Sequence, residues 1–272
     1  MALAIEKEKL IQKAWEQLRR EAQLLIDEDP WVQPVLYEKI LNRSSFPDAL
    51  ANVLSTQIHD PAMSGGMLHD LILRTYAKSP SLVYQSAVDL YATLERDPAC
   101  NDLVEPLLFY KGFQSVQTYR VYHTLWKRKR TFLAKMLQSA CSRSYEVDIH
   151  PAAEIGMGIL IDHATNIVIG ETAKVGNFVS ILHGVTLGGT GKESGDRHPK
   201  IGDGVMLGAH AQLLGNIRVG RGAKVGAGAV VLQDVPPHTT YAGVPAVKVG
   251  KPSCDMPALE MTQDFLSDKD LD

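Results

Sequence analysis

IHPAAE-IGMGIL-IDHATN-IVIGET-AKVGNF-VSILHG-V, residues 149–185, opens each block of six on a small aliphatic residue: Ile149, Ile155, Ile161, Ile167, Ala173, Val179 and Val185. A second run, residues 201–231, repeats the pattern with Ile201, Leu207, Leu213, Val219, Val225 and Val231. Six is neither the 3.6-residue period of a helix nor the two-residue alternation of an isolated strand. It fits a coil of triangular cross-section, with a short strand on each side and a tight turn at each corner. One aliphatic side chain per side then points to a shared axis. Stacked coils pair their strands in parallel and bury a continuous core, so a hexapeptide parallel β-helix is expected. Between the anchors, glycines such as Gly158 and Gly204 fall where the chain must turn and positive φ is needed.

The two runs do not join in register, because Val185 and Ile201 are sixteen residues apart. The segment between them, residues 186–200, is rich in glycine and polar side chains and reads as a loop pushed out of the coil. Long loops inside compact repeats are uncommon and tend to carry function. Arg197 and His198 beside Pro199 mark it further. Residues 1–145 are of another type. Ile11, Trp15, Leu18, Ala22, Leu25 and Ile26 form an apolar stripe at helical spacing that ends near Asp29-Pro30. Further helices are expected over Pro47–His59, Met67–Lys78, Pro80–Arg96 and Phe113–Ser142. The fold class is therefore α+β. An N-terminal α-helical domain (1–145) precedes a left-handed parallel β-helix (146–250) with the inserted loop 186–200. A flexible, acidic tail is expected over 251–272.

At 272 residues the chain can build two units with real cores. A net charge of −3 gives no reason to expect nucleic acid. Lys127-Arg-Lys-Arg130 reads as the solvated face of a helix. No secretory leader and no apolar run long enough to span a bilayer is present, which points to the cytoplasm. Cys100, Cys141 and Cys254 are odd in number and scattered, so neither a disulfide framework nor a metal site is expected.

Candidate chemistry lies with the histidines and carboxylates of the repeat. Asp162-His163 follows the anchor Ile161, and Asp148 opens the β-helix one coil away, where it could orient the imidazole. An imidazole held by a carboxylate is a sound general base near neutral pH. His150, His183, His210 and His238 lack such surroundings and read as structural or peripheral. Zinc is the rival reading. His163, His183, His198 and His210 are spaced by twenty, fifteen and twelve residues, with no pair five apart. Three outward histidines could still converge in space, so spacing alone leaves the reading open, although no metal is expected.

These motifs carry a resemblance. Asp148-Ile-His-Pro-Ala-Ala-Glu-Ile-Gly156, Ile161-Asp-His-Ala164, Val185-Thr-Leu-Gly-Gly-Thr-Gly-Lys192, Gly195-Asp-Arg-His-Pro-Lys-Ile201, Val235-Pro-Pro-His-Thr-Thr240 and Ala242-Gly-Val-Pro-Ala246 resemble the serine O-acetyltransferases. So do Arg96-Asp97-Pro98 and Leu108-Phe-Tyr-Lys-Gly-Phe113 in the helical half. The resemblance implies acetyl transfer from acetyl-CoA to L-serine, giving O-acetylserine for cysteine synthesis. Acetyl-CoA would be a co-substrate, with no cofactor held permanently.

It further implies that His163 is the general base and Asp148 its orienting partner, with His198 near the hydroxyl. Asp97 and Asp162 would hold the serine ammonium, and Arg197 its carboxylate. Gly189, Ala209, Lys224 and Ala227 would line a CoA groove between subunits, in homotrimers that pair to a hexamer. L-Cysteine would act as a feedback inhibitor. Homoserine or a sugar remains the alternative acceptor. Family members that bind O-acetylserine sulfhydrylase end in isoleucine, whereas this sequence ends Asp268-Lys-Asp-Leu-Asp272, so weak or absent binding to that enzyme is expected.

Overall fold

The computed structural model describes residues 2–58, 63–191 and 194–263. Its N-terminal half is helical: α1 (Ala2–Glu28), α2 (Gln33–Leu36), α3 (Phe46–Gln57), α4 (Gly65–Lys78), α5 (Ser81–Arg96), α6 (Val104–Leu108), α7 (Lys111–Lys127) and α8 (Thr131–Tyr145). In α1, Ala14, Trp15, Leu18, Ala22 and Ile26 are buried at spacings of one, three and four, which is the expected stripe. The expected end of the third helix at His59 lies outside the described residues.

The single helix expected over Phe113–Ser142 is two. Lys129 takes a left-handed conformation at φ 62°. The Lys129 amide bonds to the Trp126 carbonyl and the Arg130 amide to that of Leu125, both at 2.9 Å. This double closure of a helix end is usually built on glycine. Here lysine occupies the left-handed position, so the sequence shows no breaker.

From Val147 onward the chain winds into a parallel β-solenoid of about five turns with three sheets, of five, four and six strands among the described residues. Each side of a coil turns two side chains inward, two residues apart, the first often just ahead of the strand, as in Ala173 and Val175. Val147 and Ile149, for example, are both fully buried. Strand register gives the length of each coil. Ile149 pairs with Ile169, twenty residues on. Ile169 pairs with Leu187, eighteen on. Leu187 pairs with Leu213, twenty-six on, and Leu213 with Val231, eighteen on.

The repeat is therefore broken twice, where the six-residue ladder suggested one break. The second break is the inserted loop, narrower than expected, because Thr186–Gly188 and Lys200–Ile201 are strands. The first adds two residues at the corner His163–Asn166. It is invisible in the sequence because the slip of two moves the reading from one inward position to the other, and both are aliphatic.

The helical layer closes the open end of the first coil, which would otherwise expose unpaired strand backbone. Tyr122 donates to the Ile149 carbonyl at 2.9 Å and Tyr119 to that of Ala153. Beneath them Arg120 pairs with Asp89 at 2.6 Å, their side chains 3% and 1% exposed. Arg120 also donates to the Gly156 carbonyl at 2.8 Å, while Asp89 accepts the Ile159 amide at 3.0 Å. Helical and solenoid side chains thus share one hydrophobic core.

The described part of the tail also departs from the expectation of a loose segment. Pro257–Glu260 form a short helix, α9. Ala258 packs against Leu182 and Met206 and accepts a 2.8 Å hydrogen bond from Ser180 at its carbonyl. Residues 264–272, including the terminal Leu271-Asp272, lie outside the described residues. Among the described residues no helix is long and apolar enough to cross a membrane.

Candidate active site

Two groups of predicted site residues flank the five-stranded sheet, one at the corner leading into its strands and one at the corner leading out. The first group sits on the two-residue bulge. His163, Ala164 and Asn166 all adopt left-handed conformations there, with φ between 56° and 61°. The Ala164 amide bonds to the Asp162 carbonyl at 2.7 Å and the Thr165 amide to that of His163 at 2.8 Å. Lys111 at the start of α7 donates to Thr165 Oγ1 at 2.5 Å and braces the bulge from outside. The His163 side chain is 77% exposed, with Nε2 3.6 Å from Asp162 Oδ1.

Asp162 is half-buried, and burial pushes its carboxyl up, with Asp97 adding to the rise and His163 opposing it. Asp97 ends α5 and opens onto the same cavity, of ≈ 760 Å³, which Tyr110, Lys111, Asp162, His163 and Met261 also line. Two carboxylates facing one cavity suit a cationic ligand group.

The second group surrounds the base of the inserted loop. Thr172 Oγ1 accepts the amides of Arg197 and His198 at 3.0 and 3.1 Å. It lies 2.9 Å from His198 Nδ1, which also receives the Thr172 amide at 3.2 Å. An Nδ1 that accepts leaves the proton of the neutral ring on Nε2. His198 is 7% exposed. Burial holds it below the usual histidine range, with Arg197 acting in the same direction.

Arg197 donates to Glu171 at 2.8 Å and to the Gly195 carbonyl at 3.0 Å. The hydrogen bond from Arg197 is also the main reason Glu171 ionises more readily than a free glutamate. Asp148 belongs to this group. It accepts a 2.7 Å hydrogen bond from Gln138, and both it and His198 act on the charge of His150. The expected Asp148–His163 pair is thus not formed within one chain. Asp148 lies mid-strand on the sheet, opposite Val168, whereas His163 leaves by another corner. Among the described residues no group of three His, Cys, Asp or Glu side chains is placed to hold a metal ion.

Known proteins resemble this chain over most of its length. The model of the serine acetyltransferase N-terminal region matches residues 14–118, and that of the bacterial transferase hexapeptide repeat matches 198–233. A serine acetyltransferase of Salmonella typhimurium is 50% identical over 251 residues, which is 92% of each chain. This chain belongs to the serine acetyltransferase family. The crystal structure of the Vibrio cholerae serine acetyltransferase superposes with a TM-score of 0.92 at 48% identity, covering 94% of this chain and 99% of that one.

Three ligand complexes of serine acetyltransferases superpose as well. One holds cysteine (TM-score 0.91, 46% identity, 94% and 99% covered). A soybean enzyme holds serine (0.86, 50%, 88% and 99%), and a third structure holds CoA (0.85, 46%, 88% and 100%).

Of the residues expected to line the CoA groove of a serine acetyltransferase, Ala209 and Ala227 stand on successive coils at one corner. A Cβ on Gly208 would come within 2.6 Å of the Ala227 amide, so these coils touch through backbone. Gly189 packs against Arg197 instead. Lys224 is 3% exposed on the sheet face that the 254–258 segment covers, away from that corner in a single chain.

The sequence reading missed Gln138 and Thr172, which hold Asp148 and the loop, because neither residue type announces such a role. It also set aside His183 and His210. The rings of His163 and His183 stand 5.8 Å apart and those of His183 and His210 4.9 Å apart, both nearly perpendicular. His183 lies one twenty-residue coil beyond His163, and His210 lies one position past the twenty-six-residue coil that follows, so no uniform six-residue count could bring the three together.

Proposed function

We propose that this chain is a serine O-acetyltransferase in which direct acetyl transfer from acetyl-CoA to the L-serine hydroxyl occurs between subunits. The observation that carries the activity is the near-complete match to serine acetyltransferases, including structures holding serine and CoA. The division of the site into two corner groups supports the intersubunit reading. In a homotrimer of parallel solenoids, the Asp97–Asp162–His163 corner of one subunit meets the Asp148–Arg197–His198 corner of the next. Two such trimers joined through their helical halves would give a hexamer.

Each group then has a task. Asp97 and Asp162 hold the serine ammonium, and Arg197 turns from Glu171 to its carboxylate, a planar acceptor that suits a guanidinium fork. His163 takes the hydroxyl proton as the oxygen attacks the thioester carbonyl, which avoids a free alkoxide. Asp148 of the neighbour orients the imidazole and stabilises the imidazolium. His198 presents Nε2–H towards the reacting oxygen. Collapse of the tetrahedral adduct breaks the C–S bond, and the imidazolium returns its proton to the CoA thiolate. Both substrates occupy one site, so no acyl-enzyme is needed and proximity supplies much of the acceleration.

Cysteine presents the same ammonium and carboxylate with sulfur for oxygen, so it competes for the same partners. The pathway is cysteine biosynthesis and the compartment the cytoplasm. A thiol-release assay with serine, homoserine and a hexose tests the acceptor. Serine is expected to be turned over fastest, and equal rates with a hexose would overturn the reading.

A further inference from the structure

His163, His183 and His210 leave the six-stranded sheet at the same corner of three successive coils. They follow the strands Leu160–Asp162, Ser180–Leu182 and Met206–Leu207. The His163 and His183 rings cross at 79° and those of His183 and His210 at 89°, so each meets its neighbour edge to face. Backbone contacts fix the spacing: the Gly184 amide bonds to the Thr165 carbonyl and that of His210 to the His183 carbonyl, both at 2.8 Å. Gly184 has φ 73°, and a Cβ there would overlap the His210 ring. The chain omits a side chain at the one place where the column needs room.

His183 is held in an unusual way. Its Nδ1 is buried with no hydrogen-bond partner among the described residues. A histidine kept only for the fold is ordinarily anchored through a ring nitrogen. Here the imidazole is clamped between two others instead. Within its own chain the proposed base needs that support, because His163 is exposed, left-handed and 3.6 Å from Asp162, too far for a hydrogen bond, and the Asp148 proposed to orient it belongs to a neighbouring subunit. An imidazole so placed turns freely about χ2 unless something packs on it. The rings meet edge to face, so their nitrogen lone pairs do not converge on one point.

We propose that His183, braced by His210, is a positioning residue that holds the His163 imidazole in its reactive orientation. The inference rests on His163 being the general base. Misplacing a catalytic group by about 1 Å can cost on the order of 10²-fold in rate, while substrate binding is untouched. The test is kcat and KM of the full-length enzyme for serine and acetyl-CoA in four variants: His163→Ala, His183→Ala, His183→Phe and His210→Ala.

His183→Ala is expected to lower kcat about tenfold, with both KM values within about twofold. His183→Phe keeps an aromatic edge, and since Nδ1 has no partner it loses no hydrogen bond, so kcat should recover to within about threefold of the parent. His210→Ala should lose less than His183→Ala, in the same direction. A His183→Ala enzyme with full kcat overturns the proposal, as does a Phe variant no faster than the Ala one. Should His183→Ala fail to fold, His183→Gln replaces it and must be slower than His183→Phe. Activity retained in His163→Ala would overturn the base assignment itself. A dead His163→Ala beside an unimpaired His183→Ala overturns only the positioning role.

Discussion

His163 and Arg197 are the residues on which substitution should separate chemistry from binding. Removing the base by His163→Ala is expected to lower turnover by about 10²–10⁴-fold, with a folded protein by circular dichroism. Asp148→Asn keeps the shape and the Gln138 contact but removes the charge that favours the imidazolium, so it should cost less. Full turnover in a folded His163→Ala enzyme would remove the proposed role. Arg197 acts on affinity instead. It is already paired with Glu171 at 2.8 Å, so a ligand carboxylate must compete with a carboxylate in place. Arg197→Ala should weaken serine and L-cysteine together, by about tenfold or more each, in line with loss of a charge-assisted pair of roughly 1.5–3 kcal/mol. Calorimetry with both ligands checks this. Cysteine affinity that survives while serine affinity collapses would point to a separate inhibitory site.

At the scale of elements, the site depends on how closely α7 lies against the first coil. Gly112, on the first turn of α7, has no room for a Cβ, which would overlap the backbone carbonyl of Ile161. That carbonyl precedes Asp162-His163, so Gly112→Ala should push the helix from the bulge. Overpacking of this kind costs about 1–3 kcal/mol. A denaturant midpoint that falls, with kcat falling further than stability alone explains, is the expected result, and an unchanged midpoint would show that α7 can shift freely. The same bulge shows how far the sequence could be read. The solenoid was legible because one aliphatic anchor recurs every six residues along both runs, and the inserted loop because its composition changes. The two extra residues at His163–Asn166 were hidden, since slipping by two exchanges one buried aliphatic for another. With that slip unseen, the coil lengths were wrong, and His183 and His210 could not be set beside His163. Asp148 was paired with His163 for the same reason: one coil apart in sequence says nothing about which corner a residue occupies.

For the whole molecule, burial and assembly each leave a measurable mark. His123, His150 and His198 all lie below the ordinary histidine value, with burial the first cause in each. The unfolded chain therefore takes up these protons near about pH 6.5, while the folded protein takes them up only at lower pH. Stability should be full above that value and fall as pH drops through it, well before Asp48 and Glu171, whose carboxyls are held low, begin to protonate. Thermal midpoints at pH 7.5 and 5.5 test the direction, and His123→Gln, which can still donate to the Pro151 carbonyl, should lessen the drop. Equal midpoints at the two pH values would contradict it. Assembly is tested by mixing defects. If His163 of one subunit works with His198 of the next, His163→Ala and His198→Ala chains are each inactive alone yet restore sites when co-expressed. A site is whole when a subunit that retains His163 faces a neighbour that retains His198. In equal random trimers this gives about one quarter of wild-type activity per site. A site built within one chain would give none, because every chain carries a defect. Purified mixed trimers with no activity above either parent would therefore sink the intersubunit reading, whatever the variants did separately.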